Sequence, residues 1–183
     1  MWVYAKCMDI LPLPQPHSLT VFCASGRSFE PVVQVMAELA VRGPLTVLDG
    51  GNRFPAYHLI RLIRSRLPDP STALQHTFVR RAFTCYQMLT LLEGTPALPQ
   101  PYILLDLLAT FYDEQIPIQE VRRLLEGCLR EIERLCLTSP VLVTTTPPPT
   151  AERAFLVEQL CARASQLFAV DVPALPLLQP ALF

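Results

Sequence analysis

Short apolar runs rich in β-forming residues alternate along this chain with longer segments whose apolar residues recur at helical spacing. The apolar runs predict five strands, at Ser18–Ala24, Leu45–Leu48, Thr77–Arg81 with Ala82 and Phe83, Tyr102–Leu105 and Val141–Thr145. The helical segments between and after them are Phe29–Val41, Pro55–Leu67, Cys85–Leu92, Ile118–Leu137 and Ala151 to about Phe168. The chain is therefore predicted to fold as strand and helix in alternation.

The predicted strands are apolar at consecutive positions, which is typical of strands that are buried on both faces. Strands that alternate with helices form parallel sheets with helices on both sides. We therefore expect an α/β protein of three layers, α/β/α, around a mainly parallel sheet. The expected organisation is an N-terminal extension at 1–16, one core domain at 17–170 and a C-terminal tail at 171–183.

Composition narrows the class of protein. Of 183 residues, 51% are hydrophobic and 17% are charged, which is too apolar for a disordered chain. The formal net charge of -1 gives no general attraction to nucleic acid.

No apolar run reaches the roughly 18 residues of a membrane span, so we expect a cytoplasmic protein without membrane contact. The six cysteines form no C-x-x-C pair, and we interpret them as reduced and structural rather than metal-binding or disulfide-bonded.

Chemistry in open parallel sheets takes place beyond the carboxyl ends of the strands. At the first such end, Ser25, Gly26, Arg27 and Ser28 follow a strand and precede a helix, as a phosphate-binding loop does. The upstream glycine of that pattern would fall at Val21, inside the strand, and arginine replaces its lysine. The segment is either a degenerate nucleotide-binding loop or a tight turn with a capping serine.

Two aspartates follow later strands. Asp106 comes after four apolar residues, the Walker B form in which a carboxylate holds magnesium through water. Asp49 precedes Gly50 and Gly51, where a capping role in the turn is at least as well supported as a catalytic one.

The order of these segments resembles the core of RecA and of its archaeal and eukaryotic strand-exchange relatives. Val47–Phe54 resembles the family strand that ends in Asp-Thr-Glu-Gly-x-Phe, and Thr77–Phe83 resembles the next strand with its Ala-Arg-Ala-Phe-like run. Leu104–Asp106 followed by Ala109–Tyr112 resembles the Walker B strand and the step after it. Val141–Thr146 resembles the strand that closes with Thr-Asn-Gln. The resemblance extends over His17 to Thr146.

The chain departs from the family at the parts that hydrolyse nucleotide. Gly51 stands where the family has the glutamate that positions the attacking water, and the phosphate loop is shortened. Only Thr145 or Thr146 corresponds to the polar residue that senses the outer phosphate. The resemblance therefore implies an accessory protein in DNA recombination or repair that is not an active ATPase. The alternatives are a weak ATP-binding protein that uses ATP with magnesium as a structural ligand or switch, and a module unrelated to nucleotides on the same scaffold.

The resemblance also implies partners. These are RecA-like recombinase or accessory subunits, together with single-stranded DNA at loops that correspond to Tyr112–Gln119 and Thr146–Arg153. Candidate nucleic-acid contacts are the arginines Arg61, Arg64, Arg80, Arg81 and Arg153. A solvated helix face is the alternative explanation for the arginines of the second helix.

Overall fold

Residues 2–4, 12–25 and 29–170 are described by the computed structural model of the chain. They form one sheet of seven strands in which every neighbouring pair is parallel. The strands are β1 (Trp2–Tyr4), β2 (Leu19–Ala24), β3 (Leu45–Asp49), β4 (Thr77–Arg81), β5 (Tyr102–Leu105), β6 (Val141–Thr145) and β7 (Gln166–Val170). Their order across the sheet is β1-β7-β2-β6-β5-β3-β4.

Helices cover both faces of this sheet. They are α1 (Glu30–Arg42), α2 (Ala56–Arg66), α3 (Ser71–Gln75), α4 (Cys85–Glu93), α5 (Ile118–Cys136) and α6 (Ala154–Arg163). Helices α1 to α3 pack on the face that carries Phe22, Val47 and Ile103, whereas α4 to α6 pack on the face that carries Leu48 and Leu104. The predicted three-layer α/β/α class with a parallel sheet is confirmed. Within the described ranges, no helix is long and apolar enough to cross a lipid bilayer.

The predicted helix from Ala151 to about Phe168 is wrong over its last third. Helix α6 ends at Arg163, and Gln166–Val170 forms β7 beside β2. The apolar residues of this segment continue at helical spacing, so periodicity alone does not distinguish the strand. In the structure, Leu167 to Val170 are buried at four consecutive positions, which is the burial pattern of a strand that is covered on both faces. Strand β1, in the segment expected as an extension, pairs in parallel with β7.

The connections leave a crevice at the carboxyl ends of the strands. The chain goes from β3 to α2 on one face of the sheet, but from the neighbouring strands β4 and β5 to α4 and α5 on the other face. It also leaves β2 for α1 and the neighbouring β6 for α6, again on opposite faces. In open α/β sheets, such divergence points are where ligands bind.

The cysteines that the structure describes are free. Burial raises the pKa of both Cys23 and Cys161 to about 12, so both thiols stay protonated and unreactive at neutral pH. Cys85 and Cys128 are fully buried in the layer of α4 and α5. These four environments agree with cysteines that act as small apolar residues, and Cys7 lies outside the described residues.

Candidate functional site

A cavity of about 440 Å³ lies at the carboxyl ends of β5 and β6, beside the start of α1. It is lined by residues that follow three strands, namely Phe29 and Glu30 after β2, Arg53 with Pro55 and His58 after β3, and Asp106 after β5, and by Thr144 near the end of β6. It is the position where a nucleotide would bind if the segment after β2 were a degenerate phosphate loop, one of the two alternatives left open by the sequence. Whether a nucleotide with its metal fits depends on the charged groups around Asp106.

Asp106 is held in a fixed and buried position. The residue is 2% exposed and adopts left-handed backbone angles, with φ 50° and ψ 50°. Its backbone N–H donates to Thr144 Oγ1 at 2.7 Å. Burial raises the pKa of the Asp106 carboxyl, and the charge of Arg53 opposes that rise. The counter-ion is the Arg53 guanidinium, whose Nη1 lies 3.4 Å from Asp106 Oδ2.

Gly51 packs directly against this carboxylate. A Cβ atom at residue 51 would lie 2.6 Å from Asp106 Cβ and 2.7 Å from Asp106 Oδ2. Non-bonded carbon atoms do not approach so closely, so any side chain at this position requires Asp106 to move. Glycine is thus the residue that the close approach of the two loops demands at position 51, where the sequence resemblance would place a glutamate.

Asp49, at the end of β3, is fully buried and has a structural role. Its carboxylate accepts hydrogen bonds from the backbone N–H groups of Arg53 and Phe54, each at 3.0 Å. The Arg81 Nε donates to the same carboxylate at 3.2 Å. The aspartate therefore fixes the loop that presents Gly51 and Arg53, which is the capping alternative considered from the sequence.

The start of α1 brings a second carboxylate to the cavity. Glu30 lies in the first turn of the helix, where it accepts a hydrogen bond from Gln34 and pairs with His58 Nδ1 at 3.2 Å. A carboxylate at a helix N-terminus satisfies the dipole that would otherwise attract a phosphate. Ser25 follows β2 as expected, but Gly26, Arg27 and Ser28 lie outside the described residues.

The described residues do not fit a metal–triphosphate group. Asp106 is already paired with an arginine, and Glu30 adds a further negative charge to the wall. Arg53 is the one lysine or arginine among the described lining residues, and it is engaged with Asp106. From the described lining residues, phosphate groups entering this cavity would meet two carboxylates and one compensated cation.

The candidate nucleic-acid contacts do not converge on one surface. Arg61 and Arg64 are exposed on α2, which covers one face of the sheet. Arg80 lies beside Leu48 in the register of β3 and β4 and so points to the opposite face, whereas Arg81 is paired with Asp49.

Arg153 lies in the interior and not on the surface. It is 3% exposed, and its guanidinium donates to the carbonyl oxygens of Phe111, Asp113 and Ile116. The side chain ties the segment after β5 to the segment after β6. No part of it is left exposed for a phosphate, because its donors are used within the protein.

A second cavity, of about 460 Å³, lies at the ends of β3, β4 and β5 and was not found from the sequence. Its wall includes Gly50 and Gly51, the exposed ring of Phe83, and Asp113. Thr110 also contributes, and its hydroxyl oxygen is buried without a hydrogen-bond partner in the part of the chain that the structure describes. Phe83 was the one signal in the sequence that could have indicated this cavity, but a sequence does not show which side chains stay exposed.

Comparison of the sequence with models of known protein families gives no match, and comparison with curated proteins gives none either. The relation to the RecA family therefore stays a prediction from the residues quoted above.

Proposed function

We propose that this chain is a RecA-like accessory protein of DNA recombination or repair that does not hydrolyse nucleotide and acts by contacting RecA-like recombinase or accessory subunits. The observation that carries the proposal is the ion pair between Arg53 and the buried Asp106. An arginine in contact with the Walker B-like carboxylate supplies the positive charge that a magnesium ion supplies in an active site. The cytoplasmic location expected from the sequence is part of the same proposal.

Loss of the general base supports the same interpretation. Gly51 has no group that accepts a proton, and its contact with Asp106 leaves no space for one. Removing a single positioned catalytic group commonly lowers a rate by about 10²–10⁴-fold. With the metal position and the base both unlike those of an active ATPase, what the chain shares with the RecA fold is the scaffold, and we expect it to act by contact with other molecules.

A contact with single-stranded DNA is a secondary part of the proposal, and α2 is the surface that supports it. Tyr57, Arg61 and Arg64 follow one another at helical spacing, and the tyrosine is 94% exposed. Neither arginine has an ion pair or hydrogen bond within the described residues. An exposed aromatic ring next to two free guanidinium groups is a surface on which bases stack and phosphates pair.

The second candidate function, ATP as a structural ligand, is favoured by the place of the 440 Å³ cavity alone. It predicts that the chain binds Mg-ATP and that Arg27→Ala weakens the binding. Equilibrium dialysis with ATP, with and without magnesium, distinguishes the two functions. Saturable magnesium-dependent binding lost in Arg27→Ala would favour the ligand role over the proposal.

The proposed function is tested with the purified chain and the RecA-type recombinase of its source organism. We expect the chain to bind the recombinase in a biolayer assay and to change the yield of DNA strand exchange, without nucleotide hydrolysis of its own. The triple variant Tyr57→Ala/Arg61→Ala/Arg64→Ala should weaken binding to a single-stranded oligonucleotide by about tenfold or more at low salt. Arg123→Ala/Arg130→Ala on α5, which removes the same two positive charges, is the control for charge. A folded chain that neither binds the recombinase nor alters strand exchange would overturn the proposal.

A further inference from the structure

The cavity at the ends of β3, β4 and β5 is separate from the one beside Asp106, because the two share no lining residue. Small residues form much of its wall, including Gly50, Gly51, Ala82 and Ala109, so backbone is accessible at its base. It lies where the connection after β3 leaves for one face of the sheet and those after β4 and β5 leave for the other. Its place in the fold is thus one where such sheets bind ligands.

The charges of the side chains that line this cavity indicate which kind of ligand it can bind. Asp113 is the single charged residue among those described as lining it, and exposed Glu114 follows it in the chain. Because the wall residues that the structure describes include no basic side chain, the cavity disfavours phosphate, carboxylate and a nucleic-acid backbone. It favours a group that carries positive charge and donates hydrogen bonds.

The Phe83 ring gives the second recognition element. It is 65% exposed, a large apolar area for a residue that no other element covers. The chain holds it firmly: the Phe83 backbone N–H donates to Gln87 Oε1 at 2.8 Å, and Thr84 Oγ1 accepts from the Gln87 N–H at 3.1 Å. These two hydrogen bonds, which resemble a capping box, fix the backbone at the entry into α4 and so the point from which the ring projects.

Asp113 is fixed in the same way. One carboxylate oxygen accepts the Gln115 backbone N–H at 3.0 Å, and the Asp113 carbonyl accepts from buried Arg153 at 2.9 Å. The other carboxylate oxygen has no hydrogen bond within the described residues. An exposed aromatic ring and a carboxylate with a free oxygen therefore line one cavity, and the wall also contains Thr110, whose hydroxyl oxygen is buried without a hydrogen-bond partner among the described residues.

We propose that this cavity receives an arginine side chain of a partner protein, with the guanidinium stacked on the Phe83 ring and paired with the Asp113 carboxylate. A planar guanidinium both stacks on an aromatic face and donates in a fork to a carboxylate, whereas the compact ammonium of lysine pairs with a carboxylate only as a point charge. Arginines anchored in such pockets are frequent hot spots of protein interfaces. This inference rests on the proposed function as a protein partner, and it specifies the chemistry that the partner presents.

The test is a ¹H–¹⁵N NMR titration of the full chain with N-acetyl-arginine-N-methylamide. The matched control ligand is N-acetyl-citrulline-N-methylamide, which has the same shape but no charge. We expect saturable shifts at Gly50, Gly51, Phe83 and Thr84 with the arginine compound, and binding weaker by about tenfold or more with the citrulline compound. Equal affinity for both compounds, or shifts confined to other surfaces, would overturn the proposal.

Variants of exposed residues complete the test, because their loss leaves the core intact. Asp113→Asn should abolish the preference for arginine over citrulline, and Phe83→Leu should weaken both ligands. Glu114→Gln, which alters the neighbouring carboxylate outside the cavity wall, should leave the preference unchanged. A recombinase that binds the Asp113→Asn variant as well as the wild type would refute this use of the cavity while leaving the proposed function standing.

Discussion

Replacing Arg153 by alanine is expected to lower the free energy of unfolding by about 2–4 kcal/mol. The guanidinium is always charged, and within the protein it satisfies three carbonyl oxygens at 2.9 to 3.3 Å. Alanine removes these charge-assisted hydrogen bonds and leaves a void in the junction between the segments after β5 and β6. Urea unfolding followed by circular dichroism measures the change as a lower midpoint at an unchanged m-value.

The control for this prediction is Arg130→Ala. Arg130 is an exposed arginine of α5 with no ion pair or hydrogen bond in the described part of the chain, so its loss should change stability by no more than about 0.5 kcal/mol. An Arg153 variant as stable as the Arg130 variant would show that the buried guanidinium does not hold these loops together. It would also remove the fixed position of Asp113 on which the arginine cavity depends.

Replacing Gly51 by glutamate, the residue that the RecA resemblance places at this position, is expected to destabilise the protein by about 3 kcal/mol or more and to give no ATPase activity. The new Cβ would overlap Asp106 Cβ and Oδ2, and the new carboxylate would lie close to a carboxylate that is already buried. Gly51→Ala, which adds the Cβ without the charge, should destabilise by about 1–3 kcal/mol. Thermal unfolding of the two variants separates the effect of volume from that of charge.

A double-mutant cycle tests whether Asp106 is the cause. Asp106→Gly removes the atoms that residue 51 would meet, and glycine tolerates the left-handed backbone at this position, where φ is 50°. Gly51→Ala should therefore destabilise the Asp106→Gly background clearly less than it destabilises the wild type. If the two substitutions are additive, the overlap is relieved elsewhere and the account of Gly51 is wrong.

The strands that flank the site could be predicted from the sequence because they are short, apolar and bounded by glycine, proline or aspartate. The place of Asp106 at the end of β5 followed directly, as did the capping role offered for Asp49. The boundary between α6 and β7 could not, because the apolar residues from Leu156 to Phe168 satisfy a helical period and a buried strand equally. The segment forms a strand because it pairs with β2, and a contact between residues so distant in sequence cannot be read from a local pattern.

The ion pairs of the site were harder to predict from the sequence than its strands. Arg53, in the loop after β3, pairs with Asp106 after β5, and Arg81 at the end of β4 pairs with Asp49 at the end of β3. Both ion pairs depend on the register of β3, β4 and β5. Arg153 was predicted to contact nucleic acid because it lies in the segment that the resemblance matches to a DNA-contacting loop of the RecA family. Its burial becomes intelligible only when three carbonyl oxygens of another loop are placed around it.

Phosphate release from Mg-ATP under single-turnover conditions, with the purified chain in excess over ATP, tests most directly whether Arg53 has replaced the metal at Asp106. We predict that release by the wild type equals that of the buffer and is the same in Asp106→Asn. Release well above the buffer that disappears in Asp106→Asn would show that Asp106 works with a metal after all, and it would contradict the account of a scaffold that no longer hydrolyses nucleotide.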